Sequence, residues 1–272
     1  MKFKYLIILF NIILVFFLFF VTLMPIMLMG HELAANLWRS TWPIALLLAL
    51  VLAGLNIYFI KNYQLFRLLE REDWPALAYY LEQKMYKKDK YSSRKVRLLA
   101  NAYLVLCDFP SIFQLESKVA VANPAIIAKN ALVFGTARLL SGDYNGAGAF
   151  FKNILARGKA QKEQWLLWFL RISQMLSGDL HQAEAGFSTL ASSSDDIVVT
   201  GLSAYFLAHS LENYSLKPEE CRSAYKKGRE RVIEALKDIN GWNKEAQSIG
   251  TEVHTAIIKK YINEAGKWLF EQ

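Results

Sequence analysis

The spacing of apolar positions changes character along the chain. Tyr5 to Met29 is a run of 25 residues without a charge, longer than the roughly 20 residues with which a helix crosses a bilayer. A second apolar run of 18 residues, Pro43 to Ile60, is flanked by Trp38, Trp42 and Tyr58, aromatic residues of the kind that anchor at a membrane interface. Beyond it, apolar residues recur at helical spacing in blocks punctuated by Asp73, Asp108, Asp143 and Asp179, which stand 35, 35 and 36 residues apart. The pattern predicts an all-α protein. A transmembrane hairpin (residues 1–61, spans about 5–29 and 43–60) precedes a helical repeat domain (62–272). Its hairpins are expected at about 62–90, 92–123, 125–157, 161–192 and 196–239, with a C-terminal capping helix at 243–271.

The clearest copies are Leu139 to Phe151 and Met175 to Phe187. Each contains Leu-Ser-Gly-Asp, a small residue four after the Asp (Ala147, Ala183) and a Phe eight after it (Phe151, Phe187). Gly supplies the positive φ of a tight helix stop. Asp caps the next helix by accepting from its free amide groups. The small residue permits close approach, and the Phe fills the groove on the same face. Asp108 with Ile112, and Asp73 with Leu77 and Leu81, are weaker copies. With Gly135 eight before Asp143 and Pro124 sixteen after Asp108, the stretch 62–215 resembles the tetratricopeptide (TPR) repeat family. The family's Trp near the start of the unit is replaced by Ala131 and Leu167. The organisation, two spans and then repeats, also resembles the bacterial HemY-like inner-membrane proteins.

Composition supports a membrane address. Apolar residues make up 54% of the chain and mean hydropathy is +0.17, high for a protein wholly in water. A signal peptide is disfavoured: the first run is too long, no small-x-small site follows, and no cysteine offers a lipid site. Lys2 and Lys4 precede the first span and Lys61, Arg67 and Arg71 follow the second, whereas the segment between, Gly30 to Trp42, is expected to be a short loop and holds Arg39 and Glu32. Positive charge is retained inside, so both termini and the repeats are expected in the cytoplasm. Ala45, Ala49 and Ala53 recur every fourth residue beside Gly54, a small-residue stripe of the kind that packs membrane helices. Its nearest expected partner is the first span. Asn11 and Asn56 are expected to bond across the hairpin.

The net charge is +8, a mild preference for anionic surfaces without the interleaved aromatics of a nucleic-acid binder. The charge gathers at Lys84, Lys87, Lys88, Lys90, Arg94, Lys95 and Arg97, against Asp89 alone. If the second span continues to Asp73 and the next helix returns, this loop meets acidic headgroups. Cys107 and Cys221 form no framework, and Cys107, at an apolar helix end, is expected to be a buried thiol.

No reaction is legible. His31-Glu32 lacks a second His, with Ala35 in its place, and the remaining histidines are scattered. Gly142, Gly146 and Gly148 form neither phosphate-loop pattern. No metal, cofactor or catalytic set is expected. The TPR resemblance implies an adaptor that receives a peptide or helix in a concave groove lined by first helices, in segments 94–106, 128–140 and 164–176. Asn101, Arg138, Arg171 and Gln174 are its candidates. The alternative is an accessory subunit of a translocation, secretion, motility or transport complex, docked through its spans.

Overall fold

The computed structural model describes residues 3–87, 90–158, 163–249 and 253–270, and every regular element among them is helical. The chain divides into two compact units, Met1–Tyr80 and Leu81–Gln272.

The first unit is dominated by α1 (Phe3–Glu70), whose helical geometry is interrupted at Gly30 with φ 76° and ψ 168°. The loop expected over 30–42 is therefore a single residue. Glu32 to Leu37 contains no Gly or Pro and five good helix formers, so the second arm begins at once. That arm also runs past residue 61 without a break, which extends the unit beyond the expected boundary. Asn56 Nδ2 donates to Asn11 Oδ1 at 2.8 Å and to Leu52 O at 3.0 Å, which joins the two arms. Leu48, Leu52, Leu55, Asn56 and Phe59 share one partly covered face, and Leu46, Leu47, Leu50 and Val51 are exposed. Among the described residues one stretch, Trp42–Glu70, is long and apolar enough to cross a membrane, and Ile8–Phe17 is a shorter apolar helix.

Four successive helix pairs turn in one way. α1 leads into α2 (Trp74–Tyr86). α3 (Ser93–Val105) leads into α4 (Phe109–Ala122). α5 (Pro124–Lys129) and α6 (Ala131–Leu140) lead into α7 (Tyr144–Ala156). α8 (Glu163–Leu176) leads into α9 (Leu180–Ser193). The turn residues Glu72, Cys107, Gly142 and Gly178 all have positive φ, between 52° and 88°. The following Asp amide reaches back to the carbonyl five residues earlier: Asp73 to Leu68 at 3.2 Å, and Asp108 to Tyr103, Asp143 to Arg138 and Asp179 to Gln174 at 2.9 Å. This six-to-one bond satisfies a carbonyl that the helix end leaves free. Each Asp carboxylate then accepts from the amide three residues on: Ala76, Ser111, Gly146 and Gln182.

Cys107 is exposed, not buried as its apolar flank suggests. It stands where the third and fourth copies have Gly, just past the helix end, where the side chain turns outward. Cys221 is the buried thiol, and burial pushes its pKa up to about 11.

Packing follows the copies. Ala147, Phe151, Ala183 and Phe187 are fully buried. A Cβ on Gly135 would stand 2.1 Å from the Phe151 ring, so only Gly lets the ring lie against α6. Each helix from α6 to α9 contacts its sequence neighbours, and α3 with α6 and α6 with α8 also meet. The first helix of the third pair, expected whole, is split at Asn130. That buried amide donates to Ser93 Oγ at 3.0 Å and to Ile126 O at 2.8 Å.

The last third departs from the copies. α10 (Ile197–Phe206) passes through a π-turn, Leu207–Leu211, and a short 3-10 segment before α11 (Pro218–Leu236). The chain turns at Lys237, with φ 64°, and Asp238 caps α12 (Ile239–Ser248). The single capping helix expected over 243–271 is thus α12 and α13 (Val253–Phe270). α13 packs on α10, α11 and α12 and also reaches α3 and α6. Its Ile258, Ile262, Ala265 and Leu269 form the buried face. Trp242, fully buried, donates to Ile262 O at 3.0 Å, with Gly201 and Gly266 against its ring.

Candidate functional site

Aligned on Asp143 and Asp179, the third and fourth helix pairs handle one arginine each in different ways. Arg138 leaves α6 five residues before its cap. Its Nη1 and Nη2 donate to Glu116 Oε2 and Oε1 at 2.7 and 3.0 Å, a two-pronged charge pair. The side chains are 18% and 14% exposed. The guanidinium lies 4.5 Å from the Phe150 ring centre and 5.2 Å from that of Phe113, in cation–π range. Arg138 therefore ties α6 to α4 and is not a free groove side chain.

Arg171 leaves α8 eight residues before its cap, where the third pair has Gly135. Opposite it, seven after the cap, stands Gly186 where the third pair has Phe150. A Cβ on Gly186 would stand 1.9 Å from Arg171 Nε, whereas Gly135 makes room for Phe151. Arg171 Nη1 donates to Gln174 Oε1 at 2.9 Å, and Gln174 Nε2 donates to Gln182 Oε1 at 2.8 Å. Among the described residues no carboxylate pairs with Arg171, and its Nε is buried without an acceptor. Burial pulls its pKa below the ordinary arginine value. Gln174, expected to line a groove, is 4% exposed; it holds this chain of hydrogen bonds together.

The other expected positions are separate. Asn101 on α3 is partly covered, with Oδ1 buried and without a hydrogen-bond partner. Ala49 and Ala53 are exposed, and nothing lies within 4 Å of a Cβ built on Gly54. The side chain of Ala45 and all of Lys88 lie outside the described residues. Lys84 closes α2, Lys87 and Lys90 are exposed between helices, and Arg94, Lys95 and Arg97 lie in the first turns of α3. Among the described residues no three His, Cys, Asp or Glu side chains are grouped to hold a metal ion. The pairing of Glu116 with Arg138, 22 residues apart, was not legible in the sequence. The exchange of Gly135 and Phe150 for Arg171 and Gly186 was, once the copies are superposed on their caps.

These features define an all-helical protein with an apolar N-terminal helix and recurrent capped helix pairs. The chain belongs to the family described as "Uncharacterised Treponema protein", which it matches over residues 111–271, from α4 to the end of α13. It is 28% identical over 232 residues to an uncharacterized protein of Treponema pallidum (strain Nichols), covering 83% of this chain and 74% of that one. No solved structure matches the chain.

Proposed function

We propose that this protein is a membrane-anchored, TPR-like scaffold that receives a protein partner on its helix pairs and performs no catalysis itself. The observation that carries the reading is the fourfold recurrence of one turn, with the same positive φ, six-to-one bond and Asp cap. Such units stack into an extended surface for binding. The anchor is read as two spans joined at Gly30, supported by the Asn11–Asn56 bond, with the helix pairs in the cytoplasm as the Lys/Arg bias favours. The basic run Lys84 to Arg97 is read as a contact for acidic lipid. Because α13 reaches α3 and α6, it covers part of the first-helix face, and the partner is assigned to the region around α8 and α9.

Photo-crosslinking in membranes tests this. A photoreactive residue at Gln182 is expected to trap a discrete partner, and one at Lys152 is not. Identical products from both positions overturn the reading. Protease added to right-side-out cells is expected to spare the helix pairs, and their digestion would reverse the topology. The exposed face of Ala49 and Ala53 favours a second reading, a subunit docked on other membrane helices. Ala49→Leu with Ala53→Leu would then dissolve a detergent-stable complex while insertion stays normal.

A further inference from the structure

We propose that a cavity between the start of α8 and the end of α12 is the docking site for a basic segment of the partner, one that carries arginine or lysine beside an aliphatic side chain. The proposal rests on the scaffold reading and names the chemistry the partner brings. The cavity has a volume of about 570 Å³, within the range of sites that take a drug-sized group. Its wall is apolar: Trp165 and Val198 are buried, and Leu236 and Ile249 are half-buried. Three exposed carboxylates also line it: Glu163 in the first turn of α8, Asp195 before α10, and Glu245 on α12. A fourth, Asp196, is engaged inside the fold. Its Oδ1 accepts from the Val198 and Val199 amides at 3.0 and 3.1 Å, and its Oδ2 accepts from Trp165 Nε1 at 2.8 Å. These bonds fix the Trp165 ring and take up the first amides of α10, which would otherwise attract an anion. Among the described residues no lysine or arginine lines the cavity, and no ion pair joins Glu163, Asp195 or Glu245 to a cation. Other acids late in the chain behave differently: Glu212 and Glu219 pair with Arg222, Glu220 with Lys217, and Glu264 with Lys260. An apolar recess whose charged groups are all carboxylates is complementary to a cation on an apolar stem, which is what a lysine or arginine side chain is. The wall adds a seat for a neighbouring aliphatic side chain, which a protein segment has and a free polyamine lacks.

The test uses the full chain in nanodiscs of neutral lipid and a fluorescein-labelled peptide of alternating arginine and leucine, read by anisotropy against empty nanodiscs. Glu163→Gln, Asp195→Asn and Glu245→Gln combined are expected to weaken binding about tenfold or more. Glu219→Gln, Glu220→Gln and Glu230→Gln combined change the net charge equally on the exposed surface of α11 and are expected to change binding by less than about twofold. Equal losses in the two triple variants would reduce the effect to net charge and overturn the proposal. The cavity variant is expected to melt at or above the wild-type temperature, because it removes like charges that have no counter-charge. A lower melting temperature with unchanged peptide binding would make the three carboxylates structural residues. Replacing the leucines of the peptide by glycine is expected to weaken binding, and equal binding would remove the apolar wall from the site. Spermidine is expected to displace the peptide only weakly; displacement at lower concentration than the unlabelled peptide requires would assign the cavity to a free polyamine and overturn the proposal. Self-association that the cavity variant abolishes would assign it to a second copy instead. Failure of the peptide to bind while the Gln182 cross-link persists would sink this proposal and leave the scaffold reading standing.

Discussion

The third and fourth helix pairs share a turn, a cap and a buried Phe, yet among the described residues one pairs its arginine with a carboxylate and the other does not. In the third, Arg138 lies against Phe150 and reaches back to Glu116 on α4. In the fourth, Arg171 takes the position of Gly135, and Gly186 takes that of Phe150. Both arginines stand on the first helix of their pair, so the repeat fixes the backbone path while what faces each arginine on the other helices decides how it is paired. A side chain that completes its pairing inside the fold serves stability.

Four changes break or sharpen this contrast. Phe151→Ala and Phe187→Ala remove the ring both pairs share, and each is expected to cost about 3–5 kcal/mol, measured by chemical denaturation. Markedly unequal costs would mean that the pairs are not equivalent. Glu116→Ala strands Arg138 and is expected to cost about 1.5–3 kcal/mol; Glu116→Ala combined with Arg138→Met should recover much of the loss in a double-mutant cycle. Asp143→Ala and Asp179→Ala should each cost about 0.5–2 kcal/mol, and an unchanged melting point in either would remove the cap from its place in the argument. The smallest effect is a gain. Cys107→Gly relieves a non-glycine residue at φ 54° and is expected to add about 0.5–1 kcal/mol.

A pH effect separates the two cysteines. Burial holds the Cys221 thiol protonated to about 11, so its contribution is complete below the unfolded value and is lost as pH rises through the folded one. Stability should therefore fall between about pH 9 and pH 11, and Cys221→Ser should flatten that fall. A thiol reagent at pH 8 should modify Cys107 first.

The turns were legible in the sequence because a capped left-handed stop is a local device. Its Gly, its Asp and the residues four and eight further on lie within one short window. The fates of Arg138, Arg171 and Gln174 were not legible one residue at a time, because each depends on what stands opposite it on another helix. Helical spacing placed Gln174 outside the packing stripe, but spacing does not show that Gly186 opens a recess in α9 for polar side chains to enter. The segment after Gly30 failed differently. Its place between two apolar runs suggests a loop, whereas its own residues favour helix. The apolar flank of Cys107 suggests burial, but its place in the turn exposes it.

The reach of α13 back to α3 and α6 has a consequence for how such a chain can grow. Open helical stacks lengthen by duplicating one unit, since each new copy touches only its neighbours. Here the final helix also touches pairs made much earlier in synthesis, so an inserted copy between α6 and α10 would pull α13 out of register with one end or the other. The number of units is fixed by closure. The early pairs must also wait for the ribosome to release residue 270 before their last contacts exist.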